Sequence, residues 1–334
     1  MKADFFRGIG IIVALLVMVA GCDQQQPSAP GRTDAVTPAG SPTKLFKGSG
    51  GKQVPITSDA LDAMNVSLQE AGKEYRIAYA EYLTSGEGNE IGQTIYARDV
   101  GNKQLTADFV PFDPRRADWS GPVVGPNDNI TYAIDQTEDA VPPSAVVNGL
   151  TAAQTTAAIQ SAMTTWNTQG CSDLDLTQNS DDGRDLGYIA FLYGLGGSDT
   201  IVADIMHTGF RDLDFTGGVI GVTYTFIWVD DAGDPTDVDG NGKADVAFRE
   251  IYYDPSWLWQ IGSSVDVESI ALHETGHGLS QAHFGKVFMT NANGKFHFSP
   301  RAVMNAVYPG GVQIELLGSD VGGHCSIWAD WPNH

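Results

Sequence analysis

The chain has 334 residues, with 19 Lys+Arg against 41 Asp+Glu and a formal net charge of −22. A hydrophobic content of 42% with 10% aromatics excludes a disordered polymer, and at about 100–200 residues per domain the length allows one large domain or two smaller ones. The acidity excludes nucleic acid as a partner, because a phosphate backbone needs a basic surface.

Residues 1–22, MKADFFRGIGIIVALLVMVAGC, begin with Lys2 and Arg7 and continue into an apolar run, Ile9 to Ala20, too short to span a bilayer. They read as a signal peptide. The end of the run, Val19-Ala20-Gly21-Cys22, resembles the lipobox of bacterial lipoproteins. That resemblance implies removal of residues 1–21, a lipid on Cys22, and an exported protein tethered to a membrane of the bacterial cell envelope. Cys171 and Cys325 then form an even pair in an oxidising compartment, either bridged or left as two buried thiols; the bridge is the expectation. Residues 22–52 are rich in Pro, Gly, Ser and Thr and read as a flexible tether.

Residues 53–125 read as a small, mostly β module. Tyr75 to Leu83 and Gly92 to Ala97 are β-rich runs joined by the turn-forming Ser85-Gly-Glu-Gly-Asn89. Val110-Pro-Phe-Asp-Pro-Arg-Arg116 then breaks regular structure. The module reads either as a spacer or as an inhibitory prosegment, with Asp113 as a carboxylate to block a metal.

From residue 126 to 334 the pattern is that of an α+β domain. Ile130–Ile134 is a predicted strand. Thr151-Ala-Ala-Gln154 is a capping box opening a helix to about Thr168, with Ile159, Ala162, Met163 and Trp166 on one face. Strands are expected at Leu186–Leu192, Thr200–Met206, Val219–Val229 and Ala244–Tyr253. Val265 to Leu272 has helical apolar spacing, with Asp266 as a candidate cap.

That last helix carries His273-Glu274-Thr-Gly-His277. Residues four apart lie about 40° round and about 6 Å along a helix, so both imidazoles can reach one ion while Glu274 addresses a water beside it. This is the H-E-x-x-H zinc hydrolase pattern. His283, six residues on, can join only if the chain turns sharply after the second histidine. Three histidines and one open position describe a catalytic zinc rather than a closed structural one.

His273 to His283 is similar to the long zinc motif of the metzincins, H-E-x-x-H-x-x-G-x-x-H, and Asp266 to His277 resembles the matrixin branch, the matrix metalloproteinase-like enzymes. Ala302-Val-Met-Asn-Ala-Val-Tyr308 resembles the Met-turn of that family. The resemblance implies a twisted mixed sheet with an active-site helix and a long N-terminal helix, Met304 beneath the zinc and Tyr308 walling the substrate pocket. The sequence departs from the family in three ways. Ser280 replaces the turn glycine, at a cost of roughly 1–2 kcal/mol for a left-handed backbone. Ala306 excludes a tyrosine fifth ligand, and no cysteine is available for a cysteine-switch latch. His207 alone does not reproduce the family's second, structural zinc site; His297, His324 and His334 are scattered.

Asp237, Asp239, Asn241, Lys243 (through its carbonyl) and Asp245 follow the first positions of a calcium loop, with Gly242 at the turn; Phe248 stands where an EF-hand has its bidentate Glu. The expected function is a lipid-anchored, zinc-dependent endopeptidase acting on protein or peptide substrates. Its substrate would lie extended along the strand at Val219–Val229 or the one at Ala244–Tyr253. The rival reading is a non-catalytic, metal-stabilised, adhesin-like surface protein; a thermolysin-like enzyme has only Glu315 as a downstream ligand.

Overall fold

The computed structural model describes residues 55–98, 107–121, 128–142, 149–180, 182–213, 215, 217–290 and 292–333. The signal peptide, Cys22 and the tether lie outside them.

Helix α1 (Ser58–Glu70) starts where the Thr57 hydroxyl accepts from Ala60 N, and it buries Leu61, Met64 and Leu68. It was not expected in a β-rich stretch. Its Asn65 side chain bonds both backbone groups of Ile77, accepting from N at 2.7 Å and donating to O at 2.9 Å. These are the groups exposed by a register shift in strand β1 (Tyr75–Thr84).

β1 belongs to one mixed sheet with β2 (Thr94–Tyr96), β3 (Ala107–Asp108), β4 (Ile130–Ile134), β5 (Leu176–Gln178), β6 (Ile205–Phe210), β7 (Val219–Trp228) and β8 (Ala244–Tyr253). The order is β2-β1-β7-β8-β6-β4-β5, and β3 joins β8. β3, β4, β5, β6 and β8 pair in parallel, whereas β1, β2, β7 and β8 pair antiparallel. β7 and β8 are buried along their whole length; β7 accordingly reads as an uncharged, mostly apolar run rather than an alternating one, whereas β8 also buries Asp245, Arg249 and Glu250, each with a partner. β1 pairs with β7 from Tyr75↔Trp228 to Thr84↔Val219. The described residues on either side of the boundary drawn near residue 125 therefore share one sheet and one core.

Two predicted strands change. Leu186–Leu192 is overlapped by a short helix, Tyr188–Tyr193, because the buried Glu250 carboxylate accepts from Tyr188 N and Ile189 N and so satisfies its first orphan donors. The strand expected from Thr200 begins at Ile205, after the Asp204 carboxylate has been taken up by Arg116, Trp119 and Thr131.

Helices lie on both faces of the sheet: on β8, Arg249 reaches the helix Val267–Gly278 while its neighbour Glu250 reaches the Tyr188–Tyr193 helix on the other face. Numbering the helix Ala117–Ser120 as α2, α3 (Ala152–Asn167) opens on the expected Thr151/Gln154 capping box. α4 is the Tyr188–Tyr193 turn. α5 (Val267–Gly278) packs against α3, where Trp166 Nε1 donates to Leu272 O at 2.8 Å. α6 (Gly318–Trp328) is joined to the turn after α3 by the Cys171–Cys325 disulfide. Strands β9 (Trp259–Gln260) and β10 (Val265–Asp266) lead into α5, and an exposed hairpin, β11 (Lys286–Thr290) and β12 (Lys295–Ser299), follows it.

Candidate metal centre

α5 begins at Asp266, whose carboxylate accepts from Ser269 N and Oγ. Its last turns carry His273 and His277, one turn apart on the same face. His273 Nδ1 donates to Val303 O and His277 Nδ1 to Gln281 O, both at 2.7 Å. A carbonyl only accepts, so both protons sit on Nδ1 and both Nε2 lone pairs are free. Those two nitrogens are 3.1 Å apart.

His283 reaches the same point because the helix ends in a left-handed turn. Ser280 N bonds His277 O and Gln281 N bonds Gly276 O, a Schellman closure with Ser280 at φ +67°. The serine departure from the family pattern has a partner: Ser280 Oγ accepts from Arg249 Nη2 at 3.0 Å. The buried Arg249, on β8, also donates through Nη1 to His277 O and Gly278 O, placing a cation at the negative end of α5. His283 Nε2 lies 3.2 Å from His277 Nε2.

Three imidazole nitrogens facing one another this closely could hold a cation between them. Two nitrogens at about 2.0–2.1 Å from one tetrahedral ion stand about 3.3 Å apart, so the residues fit zinc. Burial, with the neighbouring His277, holds His273 and His283 well below the usual histidine range, in the neutral form a metal requires.

Glu274 is fully buried beside this cluster. Oε2 accepts from Thr223 Oγ1 at 2.7 Å, while Oε1 has no partner among the described residues. Burial raises its pKa to about 7 against the lowering effects of His277 and Thr223. Gly221 makes room for it: a Cβ there would lie 2.6 Å from Oε1.

Met304 packs directly under α5, where a Cβ on Gly276 would meet its Sδ at 2.2 Å. The turn that carries it is held by Asp320 of α6, which accepts from Val303 N and Met304 N. Tyr308 is buried; its hydroxyl donates toward Ser264 O and Gly311 O and accepts from Asp266 N. It lines a cavity of about 10 Å³ with His273, Val303, Val307 and Leu83, room for no more than one water.

Sequence reasoning missed Glu81. On β1, its carboxylate lies 3.2 Å from His277 Nδ1. Burial opposes ionisation of both groups. Their mutual attraction wins, holding Glu81 low and raising His277. The available signal was a lone acid inside the apolar run Tyr75–Leu83. Asp113 is not the carboxylate at this site: it caps a short turn and is held by Arg115 N, Nε and Nη2. Neither expected substrate strand is a free edge, since β8 lies between β6 and β7 and β7 lies between β8 and β1.

Elsewhere, carboxylate oxygens of Asp237, Asp239 and Asp245 lie within 4.8 Å of one another. Asn241 Nδ2 donates to Asp239 and Asp108, and Gly242 adopts φ +82°. Arg115 Nη2 and Thr236 Oγ1 already bind Asp245, and Lys243 Nζ binds Asp108. His207 is buried against Tyr253 and Met163, His324 bonds Ser172, and His297 bonds Thr290 on the hairpin. His334 lies outside the described residues.

No protein-family model matches this chain, and no curated protein matches it.

Proposed function

We propose that the chain is a zinc-dependent endopeptidase of the metzincin kind, nearest the matrixin branch. The observation that carries this reading is the convergence of His273, His277 and His283 beside a buried Glu274 with one unpartnered oxygen. A purely structural site has no use for that carboxylate, which argues against the adhesin-like alternative. The three histidines would hold zinc, which supplies Lewis acidity: it polarises a carbonyl and makes water acidic near neutral pH.

The remaining work falls to side chains. Glu274 Oε1 takes a proton from the attacking water and returns it to the departing amine nitrogen, while Thr223 fixes the other oxygen. Exclusion of water around Glu274 brings its pKa to the range in which a carboxyl can both accept and release a proton near pH 7. Tyr308 and Val307 wall the pocket beside His273, and Met304 supports the histidines from below. An extended substrate could pair with β7 only in the place that β1 now fills. The reading extends to calcium at Asp237, Asp239, Asn241, Lys243 O and Asp245, and to an exported, lipid-anchored protein. The Cys171–Cys325 bridge supports an oxidising compartment.

The test measures bound zinc and hydrolysis of an unfolded protein, with the chain intact and after brief tryptic trimming of its N-terminal segment. Glu274→Gln should keep its zinc and lose activity by about 10²–10⁴-fold. A zinc-loaded chain that cleaves nothing even when the residues covering the histidines have been displaced would remove the peptidase reading.

A further inference from the structure

The residues nearest the metal centre outside α5 and its turn come from β1, and they arrive in the form of a bound peptide. β1 is extended and held along both edges. On one side it pairs with β7; on the other, Tyr308 N donates to Thr84 O and Thr84 bridges Val307 in parallel. Three consecutive residues, Glu81, Tyr82 and Leu83, lie beside the histidine cluster. Glu81 lies against His277. Leu83, 1% exposed, borders the pocket with His273, Val307 and Tyr308 and leaves almost none of it empty.

Tyr82, between them, presents its peptide group in a telling direction. Its N–H donates to Gln93 O, away from β7, so its carbonyl points away from β7 too. That oxygen lies against Gly92: a Cβ on Gly92 would be 2.2 Å from Tyr82 O and 3.2 Å from His283 Cε1. The next amide, Leu83 N–H, turns toward β7, where its partner is Gly221, the residue that accommodates the Glu274 carboxylate. The Tyr82–Leu83 peptide group thus turns its carbonyl to the histidine side and its nitrogen to the Glu274 side. Hydrolysis assisted by Glu274 asks for this orientation.

We propose that β1 is a tethered occupant of the substrate groove, seated in the substrate direction with Leu83 in the pocket, and that it holds the chain latent until it is displaced. The proposal rests on the peptidase reading of the histidine site, and its test separates the two. The groove cannot receive another peptide while β1 is paired with β7, and nearly complete burial of His273, Glu274 and His277 follows from the same strand and the Gly92 segment that covers His283.

The experiment uses the full chain loaded with zinc and reads two quantities: the rate at which excess chelator strips the zinc, and hydrolysis of an unfolded protein. Leu83→Lys puts a cation into an apolar pocket beside the metal and should expel the strand there; Leu83→Met should keep the pocket filled. The expected result is zinc loss at least ten-fold faster in Leu83→Lys, with hydrolysis appearing, and parental behaviour in Leu83→Met. A folded Leu83→Lys chain that keeps the parental chelation rate would overturn the proposal. If that variant does not fold, Leu83→Ala empties the pocket without burying a charge and is judged by the same rate. Faster zinc loss without hydrolysis leaves the occupancy standing and removes the peptidase reading. Hydrolysis by the parent as fast as by the variants does the reverse.

Discussion

Ser280 is where local cost and site chemistry meet. A serine at φ +67° is strained by roughly 1–2 kcal/mol, and its hydrogen bond from the Arg249 guanidinium offsets much of that. The turn it forms is what brings His283 back to the other two rings, so His283→Ala should abolish zinc retention through dialysis; near-parental zinc content would sink the three-histidine site. His207 acts at the same scale but away from the metal. Burial pushes its pKa down to about 3 from 6.5, so it is neutral in the fold. The unfolded chain takes up a proton first as pH falls below 6.5. The stability held above that value is therefore lost progressively toward pH 3, about 2 kcal/mol of it by pH 5. Denaturant unfolding at pH 7 and pH 5 should show that loss in the parent and a slope smaller by about the same amount in His207→Asn.

At the scale of elements, what was legible is what the sequence writes locally. His273, Glu274 and His277 are set by spacing on one helix, the Thr151/Gln154 box by adjacency, and β7 and β8 by runs of β-branched, aromatic and other apolar residues. What was not legible depends on partners remote in sequence. The Tyr188–Tyr193 helix exists because Glu250 of β8 reaches its first amides, and nothing in Leu186–Leu192 announces that. Glu81 looked like an ordinary strand residue because its meaning comes from His277. The α1–β1 pair is a further case, joined by Asn65 at a register shift no local pattern marks. Asn65→Ala would leave the Ile77 N–H and C=O buried and unpaired, at a cost of about 2–3 kcal/mol in urea unfolding. A loss below about 0.5 kcal/mol would mean that the helix does not fix the strand.

For the whole molecule, the acidity that first excluded nucleic acid is distributed with a purpose. Residues 171–254 hold 17 acids against 4 bases, and the buried acids among them are spoken for. Asp204 pairs with Arg116, Asp245 with Arg115, and Glu250 with the first amides of α4. The disulfide acts at this scale too, closing a loop with a sequence separation of 154. Replacing both cysteines by alanine should cost about 4–5 kcal/mol through the entropy returned to the unfolded chain, read as a lower denaturation midpoint with a steeper slope, since the uncrosslinked chain is less compact. The last helix also sets an order of events. α6 carries Cys325 and Asp320, and Asp320 is the group that clamps the turn bearing Met304. The turn beneath the three histidines is therefore clamped only after α6 has been made and folded back, so a nascent chain carries His273, His277 and His283 before that support is in place.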